Sequence, residues 1–337
     1  MTLQTTAQET ARVQVIPANS ADAAAETVDI WLNDGLLLDD FSFRTASPFI
    51  DAPAEEEIII SVAPANSTSS DDAIAQFNYT LAEDEKYILV ANGILSESGY
   101  DPATPFNINV YDMARELATD AGNTDLLVHH GSTDTPTVDV GEVGVGYGTV
   151  VDDISYGEFD GYLELPTSDD YLLNLFEPEF GTFATYEAPL SSLSLDGAAI
   201  TVVASGFLNP ENNSNGAEFG LWVALASGGE LVELPLVPPT PLAYLQVIHN
   251  SADAAAEVVD VWLDDELLLD NFAFRTASIT YGLPAGETYT ISIKGPDSQN
   301  PDDPIWTMDY TLEEDKNIYS CGRGYSKPKR IQPANTF

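Results

Sequence analysis

The stretch Asn19–Ser47, NSADAAAETVDIWLNDGLLLDDFSFRTAS, returns at Asn250–Ser278 as NSADAAAEVVDVWLDDELLLDNFAFRTAS, with 23 of 29 positions identical. The match runs upstream, pairing Val13-Gln14-Val15-Ile16 with Leu245-Gln246-Val247-Ile248, and downstream, pairing Phe77–Leu81 with Met308–Leu312. A more diverged copy lies between: Leu126–Asp134 resembles Leu245–Asp253, Val138-Asp139-Val140 matches Val259-Asp260-Val261, and Ile200–Gly206 resembles Tyr87–Gly93. The period, roughly 115 residues, is that of tandem domains, since solenoid units run about 20–50 residues.

Each copy reads as β. Short runs rich in Val, Ile, Tyr and Phe recur between Gly, Pro, Asn and Asp, as in Val28–Leu32, Ile58–Val62 and Tyr87–Ala91. In the first, Val28, Ile30 and Leu32 share one face while Asp29 and Trp31 share the other. Asn33-Asp34-Gly35 predicts a hairpin through Asp-Gly, and Asp264-Asp265-Glu266 predicts a less specified turn in the last copy. About seven short strands per hundred residues predict an all-β chain of tandem antiparallel β-sandwiches, immunoglobulin-like or transthyretin-like. The expected modules are 11–118, 119–237 and 242–320, followed by a tail at 321–337. Asp112–Ala118 reads as a helical turn or a strand end, and Pro235–Pro241 (PLVPPTP) as a semi-rigid spacer.

Charge excludes partners. The 337 residues carry 55 acidic and 11 basic side chains, a formal charge of −44. Nucleic acid and anionic lipid are excluded, because phosphate contacts need Lys or Arg donors. The acids are spread along the chain, which reads as a solvated acidic surface adapted to high salt (halophilic), where screening relieves self-repulsion. An ordinary acidic extracellular protein and a Ca²⁺-loaded surface are the other readings. The single Cys321 allows no intrachain disulfide. No apolar run is long enough for a transmembrane helix. Leu3–Gln8 reads as the end of a signal peptide whose front is missing.

Val247–Asp253, Val259–Trp262, Leu267–Phe272 and Tyr87–Gly93 resemble the DUF4397 family, strongly in the first copy, moderately in the last and weakly in the middle. The resemblance implies a secreted or cell-surface β-sandwich module, often in tandem in prokaryotic surface proteins. It brings no catalytic residues. Two departures stand out. Pro17-Ala18 replaces the single His249, and after Ser320 the sequence turns to CGRGYSKPKRIQPANTF. Five of the 11 basic residues fall in the last 22 positions, which reads as a frameshift or truncation leaving the third sandwich incomplete with an open edge.

Candidate ligand-binding residues are Trp31 and Trp262, as stacking platforms for surface glycans or as core, and Asn19, Asp22, Asn250 and Asp253, as oxygen donors to Ca²⁺ or a glycan or as turn formers. His130 and His249 are repeat-equivalent and read as structural, with a metal ligand or general base as the alternative; Arg44 and Arg275 also read as structural, each expected to pair with an acidic neighbour, with a ligand-binding guanidinium as the alternative. His129 and His130 are adjacent and would point to opposite faces of a strand, so they cannot chelate one ion. Glu211–Gly216 has the alternation of a calcium loop, but Trp222 stands where the closing acid belongs. The Gly-rich run Gly141–Gly148 reads as strand and turn. Acid pairs such as Asp39-Asp40 and Asp152-Asp153 could serve a hydrolase, yet no apolar pocket is visible around them. The reading is a non-catalytic extracellular or cell-surface repeat protein with a structural or adhesive role. The alternatives are a glycan- or Ca²⁺-binding surface module and a carboxylate-dependent hydrolase.

Overall fold

The computed structural model describes residues 8–17, 22–177, 181–299 and 304–314, and the backbone of 317–321. The leader expectation at Leu3–Gln8 falls almost wholly outside them, as do Asn19 and the basic tail beyond Cys321. The chain forms two compact units, Met1–Val237 and Pro238–Phe337.

The first unit holds two sandwiches. Module 1 is built from β1 (Thr10–Pro17), β2 (Thr27–Leu32), β3 (Gly35–Ser42), β4 (Thr45–Ala46), β5 (Ile50–Pro53), β6 (Glu57–Pro64), β7 (Ala75–Thr80), β8 (Lys86–Asn92) and β9 (Asn107–Tyr111). Its sheets run β3-β2-β6-β7 and β5-β1-β8-β9. Module 2 comprises β10 (Asn123–His130), β11 (Val138–Glu142), β12 (Gly148–Ile154), β13 (Phe159–Pro166), β14 (Tyr171–Glu177), β15 (Gly181–Ala188), β16 (Ala199–Ser205), β17 (Gly220–Leu225), β18 (Gly229–Glu230) and β19 (Val232–Glu233). Its sheets run β12-β11-β14-β15 and β13-β10-β16-β17-β19.

The pairing is antiparallel with one exception per module. β1 and β8 run parallel, as do β10 and β16. Both strands of the first pair start from the same end of the sandwich, where Asp84 N–H donates to Thr10 O and Arg12 N–H to Glu85 O.

Alternation sorts the cores. Val13, Val15, Val28, Ile30, Ile58, Ile60 and Leu89 fill module 1, while Val138, Val140, Leu173, Leu175, Ile200 and Val202 fill module 2. Between the modules lies a further core, made by Ile16, Ile88, Val90 and Phe49 from the first and Leu127, Val203 and Ala224 from the second. This explains the uninterrupted apolar run Tyr87–Ala91. β8 is covered on both faces, so neither set of alternate side chains is polar. The two modules are fused face to face through the sheets that carry the parallel pairs.

The second unit is module 3, with β20 (Leu242–Ile248), β21 (Val258–Leu263), β22 (Glu266–Ala273), β23 (Tyr281–Pro284), β24 (Thr288–Lys294), β25 (Trp306–Thr311) and β26 (Asn317–Cys321). Its sheets are β22-β21-β24-β25 and β23-β20-β26, the latter again with a parallel pair, β20 and β26. Among the described residues, which end at Cys321, this sheet has three strands, and β26 pairs with β20 through Cys321. Ala243, Leu245, Val247, Val259, Val261, Phe272 and Ile291 form its core.

Three local expectations change. The first hairpin turns on Asn33-Asp34, not Asp34-Gly35, and the positive φ falls on Asn33 at 53°. Asp264 has φ 53° in module 3, so both turns place an Asn or Asp where the left-handed conformation is needed, and they are equally well specified. Asp112–Ala118 forms neither helix nor strand apart from an isolated bridge at Leu117. The start of the proline-rich spacer belongs to the first unit, because Glu187 N–H donates to Pro235 O and Val237 N–H to Thr185 O.

Candidate functional site

The motif shared by all three modules is a buried aspartate on the second strand of the outer sheet. Asp29, Asp139 and Asp260 are each nearly inaccessible. Each accepts a backbone N–H from the neighbouring strand at a residue with φ near +50°: Asp40 at 3.1 Å, Asp153 at 2.7 Å and Asn271 at 2.8 Å. Register shifts mark a bulge there in every copy. The carboxylate satisfies an amide that the bulge takes out of the ladder. The Asp39-Asp40 and Asp152-Asp153 pairs therefore belong to bulges.

In modules 1 and 3 the same aspartate anchors the tryptophan. Trp31 Nε1–H donates to Ser67 Oγ (2.9 Å), whose hydroxyl donates to Asp29 Oδ2 (2.5 Å). Trp262, Ser298 and Asp260 repeat this at 2.9 and 2.7 Å. The rings are 8% and 7% exposed, and the Lys294 ammonium covers Trp262 at 4.1 Å from its centroid. Rings so covered offer no open face for a sugar to stack on. In module 2 Gly141 replaces the tryptophan. There the carboxylates of Asp139, Asp152 and Asp153 bring one oxygen each within 4.8 Å of one another, a candidate cation-binding group, and Asp152 and Asp153 also border a shallow cleft with Glu158 and Asp160.

Asp22 is fully buried. Its Oδ1 accepts from Ala24 N–H and the Ser96 hydroxyl, and its Oδ2 from the N–H groups of Leu95 and Ser96. Two carboxylate oxygens offer about four acceptor positions, so none is left for a ligand. Burial pushes the carboxyl pKa up, and these bonds outweigh it to leave the group below the ordinary range. Asp134 repeats the clamp on Leu208 and Asn209. In module 3 Asp253 caps Ala255 N–H and is half-exposed, and Asn250 is exposed.

His130 and His249 are buried, and their Nε2–H groups donate to the carbonyls of Pro136 and Ala256, closing equivalent turns. Glu142 is the unforeseen element of the Gly-rich run. Its buried carboxylate accepts N–H bonds from Gly144, Val145, Gly146, Tyr147 and Leu172. The loop is an anion nest filled by the chain's own side chain. In the calcium-like loop, Asn213 is buried against Asp134, and the Ser214 hydroxyl donates to Gly99 O of module 1.

The junction of modules 1 and 2 gathers the remaining polar groups. Arg44 forms none of the carboxylate pairs described. Its guanidinium lies 4.0 Å above the Trp222 ring and donates to Ser205 Oγ, Ser205 O and Glu218 O of module 2. Burial pushes its pKa down to about 10, so it stays charged at neutral pH. Gln14 Nε2 bridges Ser47 O and Leu225 O. Opposite, Asn92 Nδ2 lies 2.7 Å from His129 Nε2, while His129 Nδ1 meets Glu158 O at 2.9 Å. A carbonyl only accepts, so Nδ1 carries the proton and Nε2 accepts from Asn92. Arg275, the counterpart in module 3, stacks on Phe274 at 5.0 Å and is exposed.

Residues 11–141 and 243–327 match the model of a domain of unknown function, DUF4397. The chain belongs to the DUF4397 family. The DUF4397 match stops near the end of β11, where module 2 diverges. No curated protein matches the chain. Solved structures with some likeness include an alpha-glucan-binding streptococcal virulence factor (11% identity, TM-score 0.20, 58% of this chain and 93% of that one). The Bacillus anthracis TIE protein (9%, 0.18, 95% and 51%) and the pilus adhesin SpaC from Lactobacillus rhamnosus GG (10%, 0.21, 94% and 43%) are others. These scores are too low to transfer a site or a ligand to this DUF4397 chain. Among the described residues no helix is long and apolar enough to cross a membrane.

Proposed function

We propose that this chain is a non-catalytic extracellular or cell-surface repeat protein with a structural or adhesive role. One observation carries the reading: the polar residues that recur between modules hold the fold together. Asp29 and Asp260 anchor bulges and tryptophans, Asp22 and Asp134 clamp loops, and His130 and His249 close turns. Repetition has preserved a scaffold and its means of stacking modules. The core between modules 1 and 2 gives such a scaffold stiffness, because a joint with its own apolar core resists bending where a loose linker would not. A charge of −44 suits an exterior of high ionic strength, where repulsion between acidic side chains is screened.

The test is protease added to intact cells that make the protein. Digestion without lysis is expected, and survival of the protein until the cells are broken overturns an exterior location. A screen against polysaccharide and ester substrates tests the absence of catalysis. Turnover that a single Asp→Asn change abolishes would overturn it.

A further inference from the structure

Three asparagines are followed two places on by a hydroxyl residue: Asn66-Ser67-Thr68, Asn78-Tyr79-Thr80 and Asn212-Asn213-Ser214. Asn-x-Ser/Thr is the acceptor triplet for N-linked sugars; the amide takes the sugar and the hydroxyl is read by the transferase. The fold treats the three triplets differently. The Thr68 hydroxyl donates to Asp72 Oδ2, and the Ser214 hydroxyl donates to Gly99 O of module 1. Asn78 and Thr80 lie on β7, the outer strand of the sheet β3-β2-β6-β7, and both are exposed. Residues two apart on a strand share a face, so this amide and this hydroxyl stand side by side toward solvent. Phe77 and Tyr79 point the other way and pack on the core of module 1. Opposite Asn78 on β6 is Ile59, whose side chain has no group that can bond an amide.

Module 3 shows the same strand without the acceptor. The Trp31–Ser67 and Trp262–Ser298 bonds align the two copies, which places Asp297 at Asn66, Asp309 at Asn78 and Thr311 at Thr80. There the side chains are used within the sheet. Asp309 accepts the Thr290 hydroxyl at 2.8 Å, and the hydroxyls of Thr311 and Thr288 share a hydrogen bond at 2.7 Å. An outer strand offers unpaired backbone groups to other chains, and a charge on it discourages that pairing. β25 carries the charge of Asp309. β7, reading AQFNYT, carries none, in a chain with 55 acidic residues. A bulky, hydrophilic sugar on Asn78 would guard β7 as Asp309 guards β25.

We propose that Asn78 is an N-glycosylation site, an inference that rests on the exterior location argued above. Asn78 Nδ2 forms a bond to the anomeric carbon of a sugar delivered on a lipid-linked phosphate or pyrophosphate. The bond from that carbon to the phosphate oxygen breaks, its electron pair leaves with the lipid phosphate, and one amide proton is released. The product keeps a single N–H at the side-chain amide and adds no charge to the protein.

The test is peptide mass spectrometry on the full chain recovered from the cells that make it. Cleavage after Asp72 and Glu83 releases Ala73–Glu83, which holds Asn78 and neither of the other triplets. A sugar mass on that peptide, placed at Asn78 by fragmentation, is expected. Thr80→Ala should abolish it and Thr80→Ser should keep it, because the transferase needs the hydroxyl. Thr80 is exposed, so both variants should keep the parent circular dichroism spectrum. Asn78 found unmodified on protein that protease digests on intact cells overturns this proposal and leaves the exterior location standing. Protein that the protease never reaches overturns the location and the site together. A sugar that persists in Thr80→Ala also overturns the assignment, since the triplet would not be what is read.

Discussion

The guanidinium of Arg44 lies 4.0 Å over the ring of Trp222, joining a loop of module 1 to a strand of module 2. Three donated bonds to Ser205 and Glu218 fix its plane, and Gly206 leaves room for it: a Cβ there would come within 2.6 Å of Arg44 Nη2. Arg44→Ala removes the stacked cation and leaves two carbonyls without their donor. The expected loss in urea unfolding is ~2–4 kcal/mol. Arg44→Lys should recover less than half of it, because an ammonium cannot stack flat and bond both carbonyls at once. A loss below ~0.5 kcal/mol, the usual scatter for surface substitutions, would show that the junction core alone holds the modules together.

Glu142 predicts an acid-sensitive loop. Burial raises its pKa, and the backbone N–H bonds from Val145, Tyr147, Gly146 and Leu172 outweigh that, leaving it below the ordinary glutamate range. A carboxyl depressed in the folded state stabilises above its unfolded pKa, and the stabilisation is lost as pH falls through the folded value. Glu142→Gln should therefore destabilise by ~2–3 kcal/mol at pH 7, by loss of charge-assisted bonds, and by much less at pH 3. Thermal melts of both proteins across that range check it; an equal gap at both pH values would contradict the mechanism.

His129 acts in a neighbouring pH window. Complete burial is the main cause that pushes its pKa down to about 3, with His130 adding to the shift. An unfolded chain takes up a proton near pH 6.5 that the folded chain refuses. Stability attributable to this ring is full above that pH and falls on acidification toward pH 3, at about 1.4 kcal/mol per pH unit. The ring resonances of His129 should stay constant from pH 8 to pH 5 in NMR spectra. A titration midpoint near 6.5 would mean the Asn92–His129 junction opens.

The repeats made the sandwiches legible, because alternation such as Val28, Ile30 and Leu32 shows which side chains face a core. The fused junction was not legible. Tyr87–Ala91 announces burial on both faces without saying what covers the second one. The direct partners of Arg44, the Trp222 ring, the Ser205 hydroxyl and two carbonyls, lie in the most diverged copy, where the repeat comparison gives no guide to them, while Glu233 is the acidic neighbour that acts on its charge. The bulge does have a sequence signal: Val-Asp-Val or Val-Asp-Ile is followed by an Asp or Asn that adopts positive φ, in all three copies. The covering of Trp31 and Trp262 by serines 36 residues downstream depends on loop closure, which periodicity does not encode.

Tryptophan anchoring is testable in the modules separately. Ser67→Ala takes the acceptor from Trp31 and one donor from Asp29, and Ser298→Ala does the same to Trp262 and Asp260. Each should cost ~1–3 kcal/mol, through polar groups left unsatisfied under cover. Ser67→Ala should shift the unfolding of the first unit and Ser298→Ala that of the second, as separate calorimetric transitions. A variant that moves neither transition would show that water replaces the serine.

Charge crowding gives the last prediction. Among the described residues Arg12, Lys86 and Arg115 form the ion pairs, leaving most carboxylates without a cation. Glu83 shows the consequence: the neighbouring Glu9 is the largest influence raising its pKa. Stability should rise from about 0.1 M to about 1 M salt, equally in NaCl and KCl, because screening depends on ionic strength and not on the ion. Asp139, Asp152 and Asp153 sharpen the test, since their oxygens crowd within 4.8 Å. In chelator at low salt, Asp152→Asn should raise the melting temperature by about 1–3 °C, a gain that shrinks at high salt. If micromolar Ca²⁺ instead stabilises the parent and Asp152→Asn abolishes that effect, the crowding is a coordination sphere and screening is not its explanation.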